Sequence, residues 1–189
     1  LKIYYCANHM AKGSDESQPL RKWEDLMFKK VNSVFSISSK ITERALPFNS
    51  NVSFFPPGVD FNKFNKKISN NINLEYFENI NGPIVGYIGA ITKVLDKELI
   101  ANIANRLKNV NFIFIGPVLT NINALKKINN IHFLGQKDHD VLPAYIKKFD
   151  IGIIPYIVND FTNSVYCCKL NEYLSMGLPV ISTDINEVV

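Results

Sequence analysis

The chain reads as an α/β protein built on parallel sheet, and three observations carry that reading. Short apolar runs alternate with amphipathic stretches from end to end, which is how strands and helices succeed one another in such folds. From Pro83 onward the runs are apolar throughout rather than at every second position, as strands must be when both sheet faces are covered. Glycine or proline follows several runs directly, at Gly89, Gly116-Pro117, Gly135 and Pro155, where connections leave the strand ends.

In order, Lys2 to Cys6 is a strand, Gln18 to Lys30 a helix, and Ser33 to Ile37 and Val52 to Phe55 two further strands. The pattern then breaks. Asn62 to Gly82 is rich in Asn and Lys and has little periodicity beyond a short helix around Glu75 to Ile80. Alternation resumes with strand Ile84 to Ile88, helix Asp96 to Leu107, strand Phe112 to Ile115, helix Ile122 to Ile128 and strand Ile131 to Leu134. Helix His139 to Phe149, strand Ile151 to Tyr156, a helix of about 13 residues ending before Gly177, and strand Val180 to Ser182 complete it. The expected division is residues 1–57, a linker over 58–82, and a Rossmann-like domain over 83–189. The opening strand has no glycine-rich first turn, and the chain stops where another helix would begin. The expectation is therefore a first domain present only as its tail and a second one nearly whole.

Composition excludes several classes. With 47% hydrophobic and 20% charged residues the chain is neither disordered nor low in core material. A net charge of +4 is mild, Lys and Arg are scattered, and no nucleic-acid motif accompanies them. The excess suits phosphate-bearing substrates or an anionic membrane surface. Cys6, Cys167 and Cys168 lack Cys-x-x-Cys spacing, which favours a reducing compartment. His9, His132 and His139 have no ligand-spaced companions, so no metal site is expected. No apolar run reaches the ~18 residues a membrane span needs. The chain reads as cytoplasmic, or at most peripheral.

Function points to the last third. Lys169 and Glu172 share a helix face in the order that gains least from the helix dipole, base before acid. A cation near a helix start suits a phosphate, and a carboxylate three residues on suits a pair of sugar hydroxyls. The plainer reading is two solvated surface charges. After strand Ile84 to Ile88, the turn Gly89-Ala90-Ile91-Thr92-Lys93 has small residues that let backbone amides approach a diphosphate, or that serve only tight packing. It is neither the three-glycine dinucleotide fingerprint nor a P-loop, which disfavours an NAD enzyme.

Lys169-Leu-x-Glu172-Tyr-Leu-x-x-Gly177-x-Pro179-Val is similar to the nucleotide-sugar motif of GT-B glycosyltransferases, the group 1 or sucrose-synthase-like enzymes. Val34 to Ser39 followed by Pro56-Pro-Gly58-Val-Asp60 resembles the crossover into their second domain, and Gly86-Tyr-Ile-Gly89-Ala90 the glycine turn that opens it. The resemblance implies two facing Rossmann-like domains, with 83–189 binding the donor and 1–57 ending the acceptor-side domain. It implies that Gly89, Ala90, Thr92, Lys93, Ser164, Val165 and Lys169 hold the donor diphosphate. Glu172 would take the ribose hydroxyls, and Gly135, Gln136 and Lys137 the base.

Many members carry a second glutamate eight positions before the first; here that position is Ser164, so the sugar contact passes to amides near Ser164 and Val165. Thr162 or Ser164 could instead simply cap the helix. His9, beside Asn8, is the one candidate general base or orienter, against the plainer reading of a surface histidine. The implied reaction moves a hexosyl-type sugar from a nucleoside diphosphate to an acceptor hydroxyl, in surface glycan synthesis, without cofactor or metal. The implied partners are the donor and a glycan or lipid-linked acceptor, with self-association through the incomplete first domain. The expected fragment binds a donor and does not transfer from it. A non-catalytic nucleotide-binding module is the alternative.

Overall fold

The computed structural model describes residues 1–7, 17–67 and 74–188. The chain forms two compact units and passes between them four times. One unit comprises Leu1–Gly58, Val158–Cys167 and Asp184–Val189; the other comprises Val59–Ile157 and Cys168–Thr183.

The first unit has three parallel strands in the order β1 (Ile3–Cys6), β2 (Ser33–Ser36), β3 (Val52–Phe54), with helices α1 (Ser17–Lys30) and α2 (Ser39–Ala45) between them. Its core is Cys6, Phe28, Val34, Ile37, Ile41 and Ala45, with Tyr166 packed against it. The sequence reading missed α2. Its start signal is Ser38, whose hydroxyl accepts from the Ile41 amide in the usual capping manner. Glu24 is buried and satisfied on all sides: Tyr4 and Cys6 donate to Oε1, and Arg44 pairs with Oε2 while also reaching Asp25. Burial and then the Glu24 charge push the Tyr4 hydroxyl well above its ordinary range. A buried charge is tolerable only when its lone pairs are met in this way.

The second unit is a five-stranded parallel sheet in the order β6-β5-β4-β7-β8: β4 (Ile84–Ile88), β5 (Asn111–Ile115), β6 (Ile131–Phe133), β7 (Ile151–Ile154), β8 (Val180–Ser182). The order reverses direction at β4, which puts a topological switch point beside its carboxyl end. α3 (Lys97–Arg106) opens under Asp96, which accepts from the Leu99 amide. Gly86 and Gly152 sit side by side on β4 and β7, and each makes room for an aromatic ring. A Cβ at Gly86 would run into the Phe149 ring, and one at Gly152 would lie 2.7 Å from that of Tyr173. Gly86 is thus a packing glycine.

Three helices are shorter than their sequence patterns suggest. The stretch 122–128 holds only a 3-10 turn at Leu125–Lys127. α4 covers only Leu142–Ile146, and the backbone on either side of it bonds i to i−3, Leu142 to His139 before it and Lys148 and Phe149 to Tyr145 and Ile146 after it. The motif helix α5 is eight residues long, Cys168–Ser175, and not 13. The residues expected to start it belong instead to a separate 3-10 turn: Asn159 Oδ1 accepts from the amides of Phe161 and Thr162, the Ser164 amide and hydroxyl donate to the Phe161 carbonyl, and the Val165 amide donates to the Thr162 carbonyl. Such bonds give Asn and Ser an alternative to the helix, and Val165 follows in extended conformation. At the other end α5 closes as expected. Gly177 has φ +68°, its N–H donates to the Leu174 carbonyl, and that of Leu178 to Tyr173.

Candidate donor site at the strand ends

Three of the five positive-φ glycines among the described residues follow neighbouring strands directly or nearly so: Gly89 after β4, Gly116 after β5 and Gly135 just beyond β6. The Gly89 N–H donates to the Ile115 carbonyl and the Gly116 N–H to that of Gly135, each at 2.9 Å. Gly116 is fixed by steric need as well as by its φ of +150°. A Cβ there would collide with the Gly89 carbonyl oxygen and stand 2.6 Å from its carbon. Glycine backbone therefore forms a floor at these strand ends, open to close approach by a large polar ligand.

Lys169, the second residue of α5, lies over this floor. A Cβ on Gly89 would be 3.1 Å from its Cε and 3.5 Å from its Nζ. Nζ donates to Tyr156 Oη at 2.5 Å and stands 4.9 Å from the Tyr156 ring centroid and 5.2 Å from that of Tyr87. Two ring faces and a phenol oxygen stabilise a cation where the start of a helix disfavours one. Tyr87 is itself tied down, being fully buried and donating to the Ala90 carbonyl at 3.0 Å. The result is a fixed positive charge beside a glycine turn, a geometry that can neutralise a phosphate.

Glu172 lies one turn further along α5. Its Oε1 is 3.1 Å from His139 Nε2, and its side chain is only 18% exposed. Tyr173, beside it in sequence, is buried and accepts from the Ile88 amide at 2.8 Å, which locks α5 to the end of β4. Lys63 hydrogen-bonds Asp140, and that bond together with the lysine charge holds the Asp140 carboxyl below its ordinary range.

The other candidates are placed as follows. Thr92 Oγ1 accepts from the Val94 amide, in a tight turn with Lys93 exposed; among the described residues Lys93 makes no ion pair. Gln136 is exposed, and Lys137 Nζ lies 5.9 Å from the Tyr145 ring centroid at the rim of a cavity of about 320 Å³ with Leu74, Glu75, Tyr76 and Leu134. Ser164 and Val165 belong to the first unit, where Ser164 is buried in the 3-10 turn Thr162–Ser164. Three residues, 165 to 167, separate that turn from α5. His9 lies outside the described residues. Among those described, no three His, Cys, Asp or Glu side chains come together as a metal site, and no helix is long and apolar enough to cross a membrane.

Sequence reasoning brought together Gly89, Lys169 and Glu172, put Tyr156 at one of the strand ends that build the site without pairing it to Lys169, and overlooked Tyr87 and His139. Tyr156 carries the one usable signal, its place directly after Pro155 at a strand end; that it meets Lys169 shows only in the fold. His139 has none, since its partner is 33 residues away.

Comparison with known proteins agrees with this architecture. Over 108 residues the chain is 32% identical to TuaH of Bacillus subtilis (strain 168), named as a teichuronic acid biosynthesis glycosyltransferase; the match takes in 55% of this chain and 27% of that protein. The fold matches Anabaena HepE, crystallised with UDP and glucose, at a TM-score of 0.73 and 14% identity, over 98% of this chain and 53% of HepE. It also matches sucrose-phosphate synthase from Thermosynechococcus elongatus at 0.64 and 16%, over 97% of this chain and 49% of that one. At these identities the two structures speak for the GT-B fold alone. The family described as glycosyl transferases group 1 matches residues 82–189, more than half of the sequence and all of the elements that carry Gly89, Lys169 and Glu172, and the chain belongs to that family.

Proposed function

We propose that this chain holds the donor site of a glycosyltransferase that moves a sugar from a nucleoside diphosphate to an acceptor hydroxyl, in the synthesis of a surface glycan. The observation that carries the reading is the Lys169 ammonium held over the Gly89 turn, with the Glu172 carboxylate one helical turn away. HepE structures named with UDP and UDP-glucose support a nucleoside diphosphate sugar as the ligand class, and the name of TuaH supports a surface polymer as the product.

In this reading 83–189 binds the donor, 58–82 links, and 1–57 belongs to the acceptor side. Glycine-turn amides and Lys169, with Lys93 from outside, take the diphosphate charge; Glu172 receives the ribose hydroxyls, and Gly135 to Lys137 meet the base. As the acceptor oxygen bonds to the anomeric carbon and loses its proton, the bond from that carbon to the phosphate oxygen breaks. The leaving diphosphate keeps the electron pair, and a preorganised cation beside it stabilises that charge without a resident metal. Nucleotide-sugar consumption suits a cytoplasmic setting, with contact at the membrane face where a lipid-linked acceptor would lie.

Calorimetry with UDP tests the reading. The chain is expected to bind UDP, and Glu172→Gln to weaken it about tenfold, the worth of one charge-assisted hydrogen bond. Equal affinity in both proteins would remove the ribose role. One observation favours a second reading, a binding module without turnover: Ser164 stands eight positions before Glu172, where many similar enzymes carry an acid, and its hydroxyl is engaged with the Phe161 carbonyl. Hydrolysis or transfer from UDP-glucose by the protein separates the two.

A further inference from the structure

His139 has no part in the roles above, yet it is the residue that touches the proposed ribose carboxylate. Its ring packs against Phe64, with centroids 5.1 Å apart at 57°, and Phe64 is fully buried. Its neighbour Asp140 is held by Lys63, the residue before Phe64. Two consecutive residues of the stretch entering the second unit thus grip two consecutive residues of the connection between β6 and α4. The Lys66 stem lies near the far end of α5, 3.9 Å from where a Cβ on Gly177 would be. The imidazole is anchored from behind and turned so that Nε2 meets Glu172 Oε1.

A glutamate side chain has three rotatable bonds, and fixing it at the moment of binding costs roughly 0.5–1.5 kcal/mol. A carboxylate oxygen can accept two hydrogen bonds, so Oε1 can serve His139 and one sugar hydroxyl while Oε2 takes the other. We propose that His139 is a positioning residue for donor recognition: braced by Phe64, it holds the Glu172 carboxylate in the orientation that a ribose diol requires. The inference rests on the ribose role proposed for Glu172. The side chain of His139 is 57% exposed, so its replacement leaves the core intact.

The experiment is calorimetry on the 189-residue chain with UDP and, separately, inorganic pyrophosphate, which has no ribose. His139→Ala should weaken UDP about threefold to tenfold, the cost of ordering one side chain, and leave pyrophosphate unchanged. His139→Gln, which can still donate a hydrogen bond, should restore most of the loss. In the Glu172→Gln background His139→Ala should have no further effect on UDP. Unchanged or tighter UDP binding by His139→Ala overturns the proposal, as does an equal loss for pyrophosphate or a loss that persists without Glu172. Wild-type and Glu172→Gln proteins that bind UDP alike overturn the ribose reading itself, and this proposal with it. UDP binding that depends on Glu172 and ignores His139 removes only the positioning role.

Discussion

Gly116→Ala is expected to destabilise the second unit by about 3 kcal/mol or more. Two costs of similar size add: an L side chain in a region reserved for glycine, about 1–3 kcal/mol, and a methyl forced against packed backbone, about 1–3 kcal/mol. The obstacle is the Gly89 carbonyl, which cannot swing aside as a flexible side chain could. Gly135→Ala provides the contrast. Its φ of +71° is also left-handed, but a Cβ there meets nothing within 4 Å, so only the backbone cost of about 1–2 kcal/mol applies. Urea unfolding midpoints for the two variants measure the difference; a Gly116→Ala midpoint equal to wild type would mean the two turns do not meet as described.

Lys169→Ala is expected to cost UDP about tenfold to a hundredfold in affinity, while uridine, which has no phosphate, binds nearly as before. The salt dependence of UDP binding should fall with it, because a screened charge pair has been removed. Tyr156→Phe should do less, since it keeps the ring face under Nζ and removes only the accepting oxygen. Loss of uridine and UDP binding in equal measure would make the lysine a structural residue. The same titration on Lys93→Ala tests the second cation assigned to the diphosphate.

The sheet of the second unit was legible because its central strands β4, β5 and β7 are almost wholly apolar runs, as burial on both faces demands, while the edge strands β6 and β8 carry His132 and Ser182 and are only partly covered. The neighbourhood of Gly89 and Lys169 was legible for related reasons: a strand end needs its turn residue, and a base ahead of an acid gains little from the helix dipole, which singled the pair out against the plainer reading of two surface charges. The length of α5 was not, because a helical pattern cannot reveal that Asn159 and Ser164 will tie Phe161 and Thr162 into a separate 3-10 turn that takes up the expected helix start. α2 escaped because Ser38 reads equally as loop or cap until its hydroxyl is seen to meet the Ile41 amide. The tyrosines around Lys169 and the histidine on Glu172 come from other strands and loops. Such pairs are decided by register and sheet order, which periodicity does not encode.

The four passages of the chain between its units bear on how such a protein can be taken apart or recombined. A cut after Gly58 does not free the first unit, because Val158–Cys167 and Asp184–Val189 remain on the other piece. Those tracts carry Tyr166 of its core, Asp160, which pairs with Lys40, and Glu187, which accepts from Ser39. A shuffled relative that inherited everything after Gly58 as one block would carry two orphaned tracts whose partners had stayed behind. Replacing the first unit by a foreign one therefore requires exchanging three stretches of gene together, with the helix bearing Lys169 and Glu172 spliced between the last two.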